Sequence, residues 1–180
     1  MFEKCDVVLS PNPLLNEVAH PIVQFDTSVQ ALAKQMLKTM YASNGVGLAA
    51  NQVGVLQRMV VIDTWYTSKK DREPLVLINP KIIEHSTDTY LGPEGCLSIP
   101  GVSFDIERYS WVKVRAQDLN GEYFEIEAQQ DELLCKCLQH EIDHINGITM
   151  FERMPPMQKM KAVSAYQDAL ARGAKPGDVE

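Results

Sequence analysis

The sequence predicts an α+β fold in which mixed or antiparallel strands surround a central buried helix, with a further helix on the C-terminal side. Three observations predict it. Residues 132–145 place apolar side chains in several directions around a helical wheel, as a helix without a solvent face does. Apolar runs of strand length precede that helix, two of them joined by Asn120-Gly121. Residues 157–171 then show amphipathic helical spacing.

Each element has its own signal. Val29, Leu32, Ala33, Met36, Leu37 and Met40 recur at helical spacing behind Asp26 and Thr27, which suit the first helix's N-cap. That helix is expected to stop near Asn44-Gly45, where glycine accepts a left-handed conformation. Residues 58–63 and 75–78 read as strands, with a polar loop over 66–74 between them. Residues 111–128 read as strand, turn, strand, because Asn120 and Gly121 both tolerate positive φ. For the buried helix, Asp131 is expected at the start and Gly147 just past the end. The whole reads as one domain over 1–172 and a flexible tail over 173–180.

Composition narrows the function. A chain of 180 residues suits a single core, and 45% hydrophobic with 23% charged residues excludes a disordered chain. The net charge of -7 argues against phosphate contacts, so no nucleic-acid partner is expected. No apolar run approaches the ~20 residues of a spanning helix, and residues 1–6 lack signal-peptide features. A cytoplasmic protein without membrane attachment is expected. Its four cysteines, Cys5, Cys96, Cys135 and Cys137, then read as reduced ligands or core residues.

The sharpest motif is His140-Glu141-Ile142-Asp143-His144 on the buried helix. Residues four apart share a helix face one turn (~5.4 Å) apart, so both imidazoles can grip one ion. Glu141, beside the first of them, can reach a water on that ion. Apolar flanks bury these polar groups, and buried polar groups need partners. A catalytic centre needs a third protein ligand and an open position. Met150 stands where one large class of zinc proteases has a third histidine, and no glutamate lies on a suitable downstream helix. Cys137 is about 10 Å along the axis from His144, too far to share an ion with both histidines. Cys96, within Glu94-Gly95-Cys96-Leu97-Ser98, is the remaining candidate.

At this point the chain resembles the peptide deformylases. Three motifs match in order and separation: Gly45-Val46-Gly47-Leu48-Ala49-Ala50-Asn51-Gln52, the Cys96 segment, and Gln139-His140-Glu141-Ile142-Asp143-His144. The resemblance implies removal of the formyl group from the N-terminal formyl-methionine of nascent polypeptides. It implies Cys96, His140 and His144 as metal ligands and Glu141 as general acid and base. Gln52 and the Leu97 backbone N–H are implied oxyanion donors, and Val46, Gly47 and Gly95 contact substrate. Leu133 and Cys137 match positions lining the methionine pocket, and an ion pair between Glu94 and Arg108 is implied to hold the Cys96 segment. Ferrous iron is the implied native ion, with zinc, nickel or cobalt as alternatives for a His-His-Cys set.

One departure concerns Gly92-Pro93, where bulkier side chains are expected beside the methionine pocket. It implies a wider pocket or a wall supplied by another loop. The last helix resembles one that aids ribosome docking in some members, but here it carries few basic residues. Transient ribosome contact is left open, and a monomer is the simplest expectation. The competing readings are another metallo-amidase or peptidase, a catalytically altered relative, and a binding module with a structural metal. The last would need four protein ligands, and three good candidates exist.

Overall fold

The computed structural model describes residues 3–65 and 71–178. The first helix, α1, spans Thr27–Ala42, and the Asp26 carboxylate accepts the N–H groups of Ser28 and Val29 at its start. At its end, Asn44 and not Gly45 takes the left-handed conformation, with φ +51. Asparagine is the usual substitute for glycine there. Gly45 is needed for a different reason: a Cβ on it would stand 2.7 Å from Leu97 Cδ1.

The strands follow as β1 Gly47–Ala49, β2 Met59–Ile62, β3 Leu75–His85, β4 Thr89–Cys96, β5 Ile99–Tyr109, β6 Trp111–Gln117 and β7 Tyr123–Gln129. Five form an antiparallel sheet in the order β1-β2-β3-β6-β7, and β4 pairs with β5 in a separate hairpin. Four-residue β2 is buried throughout, because the sheet is covered on both faces. Val60 and Ile62 join the cluster under the second helix, whereas Met59 and Val61 pack with α1.

That second helix, α2, spans Leu133–Ile145 and is buried continuously from Cys137 onward. Its N-cap is Glu132, not Asp131, and makes no side-chain cap. The Glu132 carboxylate instead accepts the Gln129 N–H at 2.8 Å, closing the turn out of β7. The last helix, α3, spans Pro156–Ala171 and lays Ala162, Tyr166 and Ala169 over the back of the hairpin.

Two features depart from the sequence reading. β3 runs well past residue 78, bending through register shifts after Ile78 and Ile82. Asn79, at φ +52, sits in the first of these, its side chain bonded to both backbone groups of Ile22. The β4 and β5 hairpin carries no sequence signal strong enough to announce it, since Gly92, Pro93 and Gly95 count against a strand. Among the described residues β4 pairs with β5 alone, and proline is tolerated on such an edge. Of the loop expected over 66–74, residues 66–70 lie outside the described residues, and 71–74 have no regular structure. Among the described residues, no helix is long and apolar enough to cross a membrane.

Candidate metal centre

The hairpin and α2 meet at the centre of the molecule. Cys96 ends β4, and Leu97 and Ser98 form the two-residue turn before Ile99. That turn sets the Cys96 sulfur over the α2 face carrying His140 and His144. Candidate ligand atoms of the three residues lie within 4.8 Å of one another. Cys96 Sγ is 3.2 Å from His144 Nε2, which is 3.2 Å from His140 Nε2. Sulfur and nitrogen donors around one tetrahedral ion stand roughly 3.3–3.8 Å apart. The donor chemistry and spacing therefore fit a single divalent ion, with protein supplying three ligands. Cys137 is not among them.

A layer of buried charge holds the donors. Glu94 accepts from Arg108 Nε at 2.7 Å and Nη2 at 2.9 Å, and its Oε2 lies 2.8 Å from His140 Nδ1. This contact turns His140 Nε2 toward the cluster, the orientation a ligating imidazole needs. Arg108 also donates to Asp143 at 2.5 Å, and Arg153 pairs with the same carboxylate. The backbone of α2 is tied as well: Asn51 Nδ2 donates to the His144 carbonyl at 2.6 Å. Gln139 brackets Tyr109, accepting its N–H at 2.9 Å and donating to its carbonyl at 3.0 Å.

Burial sets the proton affinities. Burial alone would raise the Glu94 carboxyl, but the bonds from Arg108 and His140 outweigh it and hold the pKa at about 2. Glu141 has no such compensation. Burial pushes its pKa up to about 7, with His140 the largest opposing influence. Its Oε2 is buried without a hydrogen-bond partner among the described residues. The histidines diverge: burial disfavours the imidazolium of both, yet Cys96 and Glu94 raise His140 while His144 falls well below the ordinary value.

Gln52 lies in the turn after β1 and is buried beside the donors. Its Oε1 accepts the Ala49 N–H at 2.8 Å, so its Nε2 faces Ser98 Oγ at 3.1 Å and Cys96 Sγ at 3.6 Å. In front lies a cavity of about 250 Å³ bordered by Val46, Gly47, Gln52, Gly95, Leu97, Leu133 and Cys137, together with Cys96, His140 and Glu141. His144 sits deeper. Gly47 has no room for a side chain, since a Cβ would overlap Glu141 Oε1 and stand 2.7 Å from Cys137 Sγ. Pro93 borders the cavity and Gly92 does not.

Sequence reasoning missed Asp143, Asn51, Gln139 and Ser98 as supports. Asp143 carried a signal: an acidic residue inside an otherwise buried helix demands a cationic partner. The others are polar residues in mixed surroundings and carried none.

Buried sulfur and imidazole donors, an adjacent carboxylate with one unpartnered oxygen among the described residues, and a cavity opening on both suit a mononuclear metal centre of the hydrolase type. Residues 4–160 match the family model for polypeptide deformylase. The chain is 44% identical over 168 residues to the peptide deformylase of Alkalilimnicola ehrlichii, covering 93% of this chain and 92% of that one. Against that of Bartonella quintana, identity is 42% over 161 residues, covering 89% and 90%. A peptide deformylase crystal structure from Legionella pneumophila superposes with a TM-score of 0.85 at 38% identity, covering 94% and 96%. The chain belongs to the polypeptide deformylase family, whose members remove the formyl group from nascent peptides.

Proposed function

We propose that Cys96, His140 and His144 hold one divalent ion, and that the cavity takes the N-terminal formyl-methionine of a nascent polypeptide, releasing formate. The observation that carries this reading is the convergence of the three donors beside the unpartnered Glu141 oxygen. A divalent ion held there acidifies water and polarises the formyl carbonyl.

The chain's own residues do the rest. Glu141, with a pKa near neutrality, can take a proton from water and return it to the leaving amine. The Gln52 amide, fixed by Ala49, aims a donor at the side of the cluster where the formyl oxygen gains charge. The Leu97 N–H, on the turn next to Cys96, is the second donor; such groups typically matter about 100- to 1,000-fold each. Gly47 leaves the Glu141 carboxylate space against the backbone of β1. β1 is an edge strand, so an extended peptide can lie along it. Val46, Leu133 and Cys137 supply apolar contact for the methionine side chain, and Gly95 allows close approach beside the thiolate. Ferrous iron is the proposed native ion on the strength of the family resemblance, and the same donors suit zinc, nickel or cobalt. Action in the cytoplasm, where bacterial nascent chains are made, is part of the same proposal.

The test is formate release from formyl-Met-Ala-Ser by protein purified without oxygen and loaded with ferrous iron. The acetylated peptide should be left intact. Glu141→Ala should keep its metal and lose at least about 100-fold in turnover. Folded, metal-loaded protein that releases no formate would sink the proposal.

A further inference from the structure

Residues 173–178 follow α3 and turn back to the mouth of the metal-centre cavity. The turn is held from two sides. Gly177, at φ +98, lies so close to the Ser43 carbonyl at the end of α1 that a Cβ there would overlap it. On the other side, the Asp178 carbonyl accepts the N–H of Gly101 in β5 at 2.8 Å. Gly101 is itself at φ +76, and a Cβ on it would stand 2.7 Å from Ala174 Cβ. The turn also closes on itself: Asp178 N–H donates to the Lys175 carbonyl at 2.9 Å, and Asp178 Oδ2 accepts the Lys175 N–H at 2.7 Å. Glycines far apart in the chain thus permit one close docking. The result puts Gly177 and Asp178 on the same cavity lining as Gln52, Cys96 and Glu141.

Charge gives this placement a consequence. Besides Asp178 and the thiols of Cys96 and Cys137, the ionisable side chains bordering that cavity among the described residues are those of Glu94, Lys136, His140 and Glu141. Glu94 is neutralised by Arg108 and bonded to His140, which belongs to the donor cluster. Glu141 faces the reacting centre, and Lys136 Nζ is held on the Pro93 carbonyl at 2.6 Å. The Asp178 side chain is exposed and engages a backbone N–H. We propose that Asp178 is a specificity-determining residue: the docked turn forms a wall of the cavity beside Asn44 and Gly45, and its carboxylate favours peptides with a basic side chain within two residues after the methionine. The inference rests on the deformylase reading above. The turn borders the same cavity as Pro93.

An exposed carboxylate attracts a substrate cation weakly, so the preference amounts to about two- to fivefold in kcat/KM. It is screened by salt, since the Debye length falls from about 10 Å at 0.1 M to about 3 Å at 1 M. A wall acting by shape alone would show no such dependence.

The experiment compares formyl-Met-Lys-Ala and formyl-Met-Ala-Lys with their glutamate counterparts, using the full chain loaded with ferrous iron. In wild type the lysine-to-glutamate ratio of kcat/KM should exceed one at one or both positions and fall toward one at about 1 M salt. Asp178→Asn keeps an acceptor for the Lys175 N–H and should bring the ratio to one in low salt. Asp178→Lys should invert it. If the lysine variant disturbs folding, the asparagine variant decides. A wild-type ratio near one, or a ratio unmoved in Asp178→Asn, overturns the inference. Wild type that releases no formate from any of the peptides overturns the deformylase reading instead.

Discussion

Two ionic clusters join neighbouring elements of this molecule, one behind the donor cluster and one on the open face of β6 and β7. Behind the donors, Glu94, Arg108 and Asp143 side chains are 2–8% exposed and Arg153 closes the set from the surface. On the open face, Lys113 lies 3.3 Å from Glu125 and 3.2 Å from Glu127, and Arg115 lies 2.8 Å from Glu125. Those side chains are 24–55% exposed. The open-face pairs follow from local geometry, because Lys113 stands opposite Glu127 and Arg115 opposite Glu125 in one hairpin. The buried set joins β4, β5, α2 and the turn after it, so it exists only once those elements are assembled. The difference teaches that an ion pair's location, and not its count, decides what it does. A buried pair is costly to desolvate and positions its neighbours, whereas an exposed one trades water for a similar partner.

The largest effect is expected from Arg108→Ala. It leaves the Glu94 and Asp143 carboxylates buried with less compensation and should lower stability by about 3–5 kcal/mol. Because Glu94 orients His140, metal affinity should also fall, by about 10- to 100-fold. Denaturant unfolding and competitive metal titration measure the two separately. Unchanged affinity in a folded variant would reduce the network to scaffolding. Next comes Glu94→Gln, which keeps the volume and removes the charge. It should weaken metal binding within the same range of about 10- to 100-fold. Its stability cost should be smaller than that of Arg108→Ala, because Asp143 still pairs with Arg108. If stability falls as far as in Arg108→Ala, the burden on Glu94 is structural.

How much of this was legible in the sequence follows the same division between local and assembled features. α1, α3, β2 and the β6 and β7 hairpin were readable because periodicity and turn residues are local signals. The β4 and β5 hairpin was not, since Gly92, Pro93 and Gly95 hide a strand whose purpose is to carry Cys96 on an edge. The histidines of α2 point to a metal by their spacing together with the apolar flanks that bury them. Cys96 was reached by eliminating other donors, and the Glu94 and Arg108 pair only through family resemblance. Asp143 was quoted as part of the motif without its partners, which come from 35 and 10 residues away. Residues 173–178 show no periodicity, and their docking depends on Ser43 and Gly101, which no pattern in the segment itself identifies.

An uncharged contact sharpens the comparison at an intermediate magnitude. Asn51 is fully buried and donates to the His144 carbonyl at 2.6 Å, so it braces the end of α2 without carrying charge. Asn51→Ala removes that bond from a buried acceptor and should cost about 1–3 kcal/mol. The loss should be independent of salt, and metal affinity should fall less than in Glu94→Gln. A larger loss of affinity would make the backbone of α2, and not the Glu94 contact, the main determinant of His144 and His140 geometry.

The smallest effect is expected at the open face. Lys113→Ala removes a cation shared by Glu84, Glu125 and Glu127. Crowded acids could make the loss count for more than one exposed pair, since three carboxylates are left facing one another. Screening by solvent opposes this, and the Arg115 contact to Glu125 persists. The net cost should be the smallest of the set at low salt and should shrink further at high salt. Metal content and formate release should be unaffected, because the ion pairs of Lys113 among the described residues are with Glu84, Glu125 and Glu127 and not with the residues around Glu94. A drop in metal affinity would mean that β6 transmits strain to α2 through the sheet, and the two clusters would then be coupled.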